Sequence, residues 1–120
     1  MIVFVLEQYD DRACKDGVFN PGLWVKAFEK SRTGKRVKKL SNGIPFKVVN
    51  STTKNIKSHI KRHRPNVVVI CGKRAKRVTR NMELNRATTI WMPHPAWRQM
   101  TNEMISCYRR HILRAMLRSF

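Results

Sequence analysis

The chain has 120 residues and carries 26 Lys and Arg against seven Asp and Glu, a formal net charge of +19. That exceeds what solubility demands and sets up a strong field for polyanions, so nucleic acid is the expected partner, with a solvated basic surface as the alternative. No stretch approaches the ~18 consecutive apolar residues of a membrane span, and the sequence opens on a strand rather than a basic-then-apolar leader, so no membrane partner is expected.

Ile2–Leu6 is an unbroken apolar run, the pattern of a strand buried on both faces. Residues 7–22 form a loop rich in acids, Gly and Pro. A helix over about 23–30 places Leu23, Trp24, Ala27 and Phe28 on one side, and Ser31-Arg32-Thr33-Gly34 breaks it. Residues 35–43 are basic and turn-rich and read as a mobile or DNA-facing loop. A second strand over 46–49 leads through Asn50-Ser51-Thr52, good capping residues, into a helix bearing Ile56 and Ile60 that has ended by Pro65. Val67–Cys71 is the clearest strand, and Gly72 turns it into a helix over 73–82. Thr88–Met92 is a fourth strand, stopped by Pro93. The last helix, over about 97–117, carries Met100, Met104, Tyr108, Ile112 and Met116 at near-helical spacing, a pattern of core packing rather than of a cofactor box.

Strands alternating with helices, each connection long enough for a right-handed crossover, predict an α/β fold. The expected form is a three-layer α/β/α sandwich around a central, mostly parallel sheet of about four strands. Length allows one domain, 1–120, with a real core. Strand order cannot be read. Cys14, Cys71 and Cys107 are odd in number and widely spaced, which suggests neither a disulfide framework nor a zinc site but a reduced, intracellular protein.

The residues able to do chemistry follow the strands: Glu7 and the Asp10-Asp11 pair, Asn50, Gly72, and Pro93-His94-Pro95. Parallel sheets bind ligands beyond the carboxyl ends of their strands. Four of the seven acids, Glu7, Asp10, Asp11 and Asp16, fall within ten residues after the first strand. A carboxylate there can activate water or stabilise a cationic transition state, or the cluster can be a solvated loop paired with neighbouring Lys and Arg. His94, held between prolines, can donate to a developing oxyanion or shuttle a proton, or be structural. His59 and His63, at i and i+4, have no carboxylate or Cys nearby in sequence to complete a metal site. Asn50 can read a base edge with its amide or simply cap a helix. Phe19 can fill the core or stack on an extruded base.

Together these segments resemble the uracil-DNA glycosylase superfamily, especially its small microbial branches. Leu6-Glu7-Gln8-Tyr9-Asp10, followed by Gly17, Phe19 and Gly22, is similar to the family's first motif loop and the aromatic that stacks on the flipped base. Val48-Val49-Asn50 resembles the strand ending in the base-reading Asn. Residues 67–75 resemble the strand, Gly and helix before the last motif, and Pro93-His94-Pro95-Ala96-Trp97-Arg98 the His-Pro-Ser loop. Leu6, Tyr9 and Ala96 stand where the family has Gly, Pro and Ser, and three scattered cysteines cannot supply the four of the iron–sulfur branches.

The resemblance implies a DNA-binding base-excision glycosylase, acting on single- or double-stranded DNA without a metal or other cofactor. Glu7 or Asp10 would position water and steady the sugar cation, Phe19 and Asn50 would hold the base, and His94 would stabilise it as it leaves. Lys73 and Arg74 would bind DNA, as would cations of 35–39, 54–64 and the last helix, and Trp97 or Arg98 would fill the gap left by the nucleotide. The alternative on the same fold is a catalytically inactive, strongly basic DNA-binding protein. An intracellular setting follows, in cytoplasm or nucleoid, or in a host cell for a viral chain.

Overall fold

The computed structural model describes residues 1–7, 14–15, 18–19, 21–84 and 87–119, with backbone alone at 14–15, 18–19, 21, 23 and 24. In chain order the elements are β1 (Ile2–Leu6), β2 (Cys14–Lys15), β3 (Val18–Phe19), α1 (Pro21–Lys30), α2 (Arg32–Ser41), β4 (Phe46–Asn50), α3 (Ile56–Arg62), β5 (Val67–Cys71), α4 (Lys73–Val78), β6 (Thr88–Met92) and α5 (Asn102–Arg118).

Four strands form one all-parallel sheet in the order β4-β1-β5-β6. All five residues of β1 and of β5 are buried, because both strands are central and covered on both faces. Alternation divides their side chains between two cores. On one face Ile2, Phe4, Val67 and Val69 pack with Val37 and Leu40 of α2 and with Ile105, Ile112 and Met116 of α5. On the other, Val3, Val5, Val68 and Ile70 pack with Ile56 and Ile60 of α3 and Ala75 of α4. Helices therefore cover both faces of a parallel sheet, an α/β architecture. Among the described residues no helix is long and apolar enough to cross a membrane.

Several local expectations are corrected. The basic stretch expected to be a loop is mostly α2, whose buried stripe is Gly34, Val37, Leu40 and Ser41. The Ser31 hydroxyl accepts from the Gly34 amide at 2.9 Å and donates to the Phe28 carbonyl at 2.7 Å, so the supposed breaker cluster is an N-cap joining α1 to α2. A Cβ on Gly34 would overlap the Phe28 carbonyl oxygen, which is why the joint needs glycine. Asn42 in the left-handed conformation ends α2.

The acidic loop contains a short antiparallel hairpin, β2 with β3. The helix after β4 begins only at Ile56, and α4 stops at Val78, where the Thr79 hydroxyl donates to the Ala75 carbonyl at 2.7 Å. α5 begins five residues later than the spacing implies, because the Thr101 side chain caps it by accepting from the Met104 amide at 3.1 Å. Met100 is buried ahead of that helix, and Met116 within it, both in the core.

Candidate functional site

The carboxyl ends of β1, β5 and β6 lie side by side, so the residues that follow these strands meet at one edge of the sheet. An open cleft of about 660 Å³ there is lined by Glu7, Ile70, Gly72, Lys73, Lys76, Trp91, Met92, Pro93, His94 and Trp97. Glu7 and His94, two of the three residues given catalytic roles from sequence, share it; the third, Asp10, lies outside the described residues.

Glu7 is fixed from two sides. Its backbone carbonyl accepts from the Ser51 hydroxyl beyond β4, and its carboxylate accepts from the Arg74 amide in the first turn of α4 at 3.3 Å. The carboxylate lies against Gly72, which adopts φ +90° and ψ 167°. That backbone region is almost exclusive to glycine, and a Cβ on Gly72 would stand 3.0 Å from Glu7 Cδ and closer still to Oε1. Gly72 thus makes both the turn from β5 into α4 and the space for the carboxylate.

His94 is half-buried in the turns that follow β6. Its Nδ1 accepts from the Ala96 amide at 3.0 Å, which puts the proton of the neutral ring on Nε2. Burial pulls its pKa below the ordinary 6.5, and the negative charge of Glu7 opposes that pull without cancelling it. At neutral pH the ring is an uncharged N–H donor beside a carboxylate.

The loop bearing His94 is held by Arg36 of α2. One guanidinium nitrogen donates to the carbonyls of Pro95 at 2.5 Å and Trp97 at 2.8 Å, and the other reaches that of Met100 at 3.5 Å. Among the cations at 35–39, Arg36 braces the loop. Its partners lie about sixty residues away, and no sequence pattern announces them.

The remaining expected residues divide. Lys73 and Trp97 line the cleft, whereas Arg98 is exposed outside its lining. The backbone amide of Arg74 donates to Glu7. Asn50 is buried, and its Oδ1 accepts from the Thr52 amide at 3.0 Å and the Thr52 hydroxyl at 2.7 Å. It makes a side-chain turn rather than a helix cap, and it lies across β1 from His94, outside the lining of the cleft. Asp10, Asp11 and Asp16 lie outside the described residues, and so does the side chain of Phe19, whose backbone is in β3.

Lys76 and Trp91 also line the cleft, although sequence reading passed over both. The Lys76 ammonium sits 4.4 Å from the centre of the Trp91 ring. His59 and His63 meet edge to face at 5.6 Å. Burial lowers the pKa of His63, and the charges of His59, Lys47 and Arg62 lower it further. No group of three or more His, Cys, Asp or Glu able to hold a metal occurs among the described residues. Comparisons with protein-family models, curated proteins and solved structures give no match, so the functional reading rests on the geometry of this cleft.

Proposed function

We propose that the chain is a DNA base-excision enzyme of the uracil-DNA glycosylase type, which hydrolyses the N-glycosidic bond of an extruded uracil or modified base. The observation that carries this reading is that the Glu7 carboxylate and the His94 imidazole, whose Nδ1 is taken by the Ala96 amide, line one open cleft with Lys73 and Lys76 beyond the strand ends. As the C1′–N bond breaks, its electron pair leaves with the base and negative charge collects on a base carbonyl oxygen. His94 Nε2–H donates to that oxygen, where a fixed donor is worth roughly 10²–10³ in rate. Glu7 steadies the sugar cation and takes a proton from the water that attacks C1′. Asp10 is the alternative carboxylate for this second role. Lys73 and Lys76 bind flanking phosphates, Trp97 or Arg98 fills the vacated stack, and Phe19 backs the base. A DNA substrate makes this an intracellular repair activity.

The second reading, a basic DNA-binding protein without catalysis, is favoured by one observation: the Oδ1 of Asn50 is occupied by Thr52 and the residue does not line the cleft. Release of free base from single- and double-stranded oligonucleotides carrying uracil and a panel of modified bases separates the two. Wild-type release that drops at least 100-fold in both Glu7→Ala and His94→Ala supports the enzyme. Tight, salt-sensitive binding with no release from any substrate supports the binding protein.

A further inference from the structure

Trp91 occupies an unusual position for a large apolar side chain. Ile90 and Met92, its neighbours on β6, turn into the core shared with α5. Alternation sends Trp91 to the opposite face, level with Ile70 of β5. β6 closes one end of the sheet, and α4, only six residues long, leaves Trp91 44% exposed. Trp97, 41% exposed, borders the same cleft. Glu7 is the one acid among the described residues that line it, against Lys73 and Lys76. Two partly exposed indoles beside a cationic helix are the ingredients of a base-stacking platform with a phosphate track.

From this arrangement we infer that Trp91 is a stacking platform for a base flanking the target nucleotide, and that it makes the cleft prefer single-stranded over duplex DNA. The inference rests on the reading of the cleft as a nucleic-acid site. Lys76 holds the ring face in the free protein, a cation–π contact worth only a few-fold at an exposed site. Base–aromatic stacking is worth roughly 5- to 150-fold, so a base displaces the ammonium, which then serves the adjoining phosphate. Only an unpaired strand offers its base faces. In a duplex they are covered by their own neighbours, which is the source of the preference.

The test is equilibrium binding of a labelled oligo-dT and of its duplex with oligo-dA, by fluorescence anisotropy across a salt series. Wild type is compared with Trp91→Leu, which keeps apolar bulk without a π face, and Trp91→Phe, which keeps a smaller one, each checked for native circular dichroism. Trp91→Leu is expected to weaken single-strand binding roughly 5- to 20-fold, change duplex binding less than twofold and leave the salt slope intact, with Trp91→Phe between. Equal losses on both DNAs, or no loss on the single strand, overturn the inference. Base release by the wild type is scored separately. Its absence beside a selective Trp91→Leu loss removes the enzyme and keeps the platform, and its presence beside an unchanged Trp91→Leu affinity does the reverse.

Discussion

Replacing Gly72 with Ala perturbs backbone and site together. At φ +90° and ψ 167°, an L-residue in this region costs about 1–3 kcal/mol. The new Cβ also drives Glu7 off its position, because Cδ at 3.0 Å and Cγ at 3.2 Å leave the side chain no way to stay. Moving it breaks the 3.3 Å bond to the Arg74 amide, a further ~0.5–1 kcal/mol. The sum, about 1.5–4 kcal/mol, corresponds to roughly 5–20 °C in Tm for a chain of this length. Urea denaturation of wild type, Gly72→Ala, Glu7→Ala and the double variant forms a cycle. Gly72→Ala should cost about 0.5–1 kcal/mol less in the Glu7→Ala background, where no carboxylate has to move. A Gly72→Ala protein within ~0.5 kcal/mol of wild type refutes the strained backbone, given the expected range. Equal costs in both backgrounds refute the contact with Glu7.

Arg36→Met keeps the aliphatic stem but drops the hydrogen bonds to Pro95 and Trp97. At about 1.5 kcal/mol for each charge-assisted bond, Tm should fall by roughly 10 °C, and Arg36→Lys, lacking the fork, should recover less than half of it. Gly34→Ala should cost about 1–3 kcal/mol in urea denaturation, because the Phe28 carbonyl must shift and α1 with it. The folded pKa of His94 lies below its unfolded value, so the unfolded chain binds more protons between the two, and stability is lost as pH falls through 6.5 toward the folded value. His63 acts in the same direction. A His94→Phe variant should therefore show a shallower decline of Tm between about pH 7 and 5 than wild type, and an equal slope would contradict the assignment.

Strands were the legible part of this fold because their signal is local. β1 and β5 are unbroken apolar runs stopped by Glu7 and Gly72, β6 is a β-branched and apolar run stopped by Pro93, and their limits follow directly. α2 was hidden because Val37 and Leu40 are its only large apolar side chains among Arg32, Lys35, Arg36, Lys38 and Lys39. The small Gly34 and Ser41 complete its buried stripe. The placement of Glu7 and His94 beyond strand ends was readable, but their meeting depends on strand order. With β5 between β1 and β6, residues 7, 72 and 94 adjoin, whereas β4 on the far side of β1 carries Asn50 away from His94. Long crossovers allow many orders, so neither outcome could be derived from spacing. The exposure of Trp91 depends on β6 being an edge strand under a short helix, which strand order alone reveals.

The central claim is that Glu7 and a neutral His94 act on the same bound nucleotide. The most direct measurement is NMR titration of ¹⁵N-labelled His94 in wild type and Glu7→Gln, free and bound to an oligonucleotide containing an abasic site. The account predicts a His94 pKa below 6.5 with the proton on Nε2, a lower pKa still in Glu7→Gln, where the opposing negative charge is gone, and a shift of the Nε2 resonance when the abasic DNA binds. A His94 pKa at or above 6.5 that ignores both the Glu7 substitution and the DNA would contradict it.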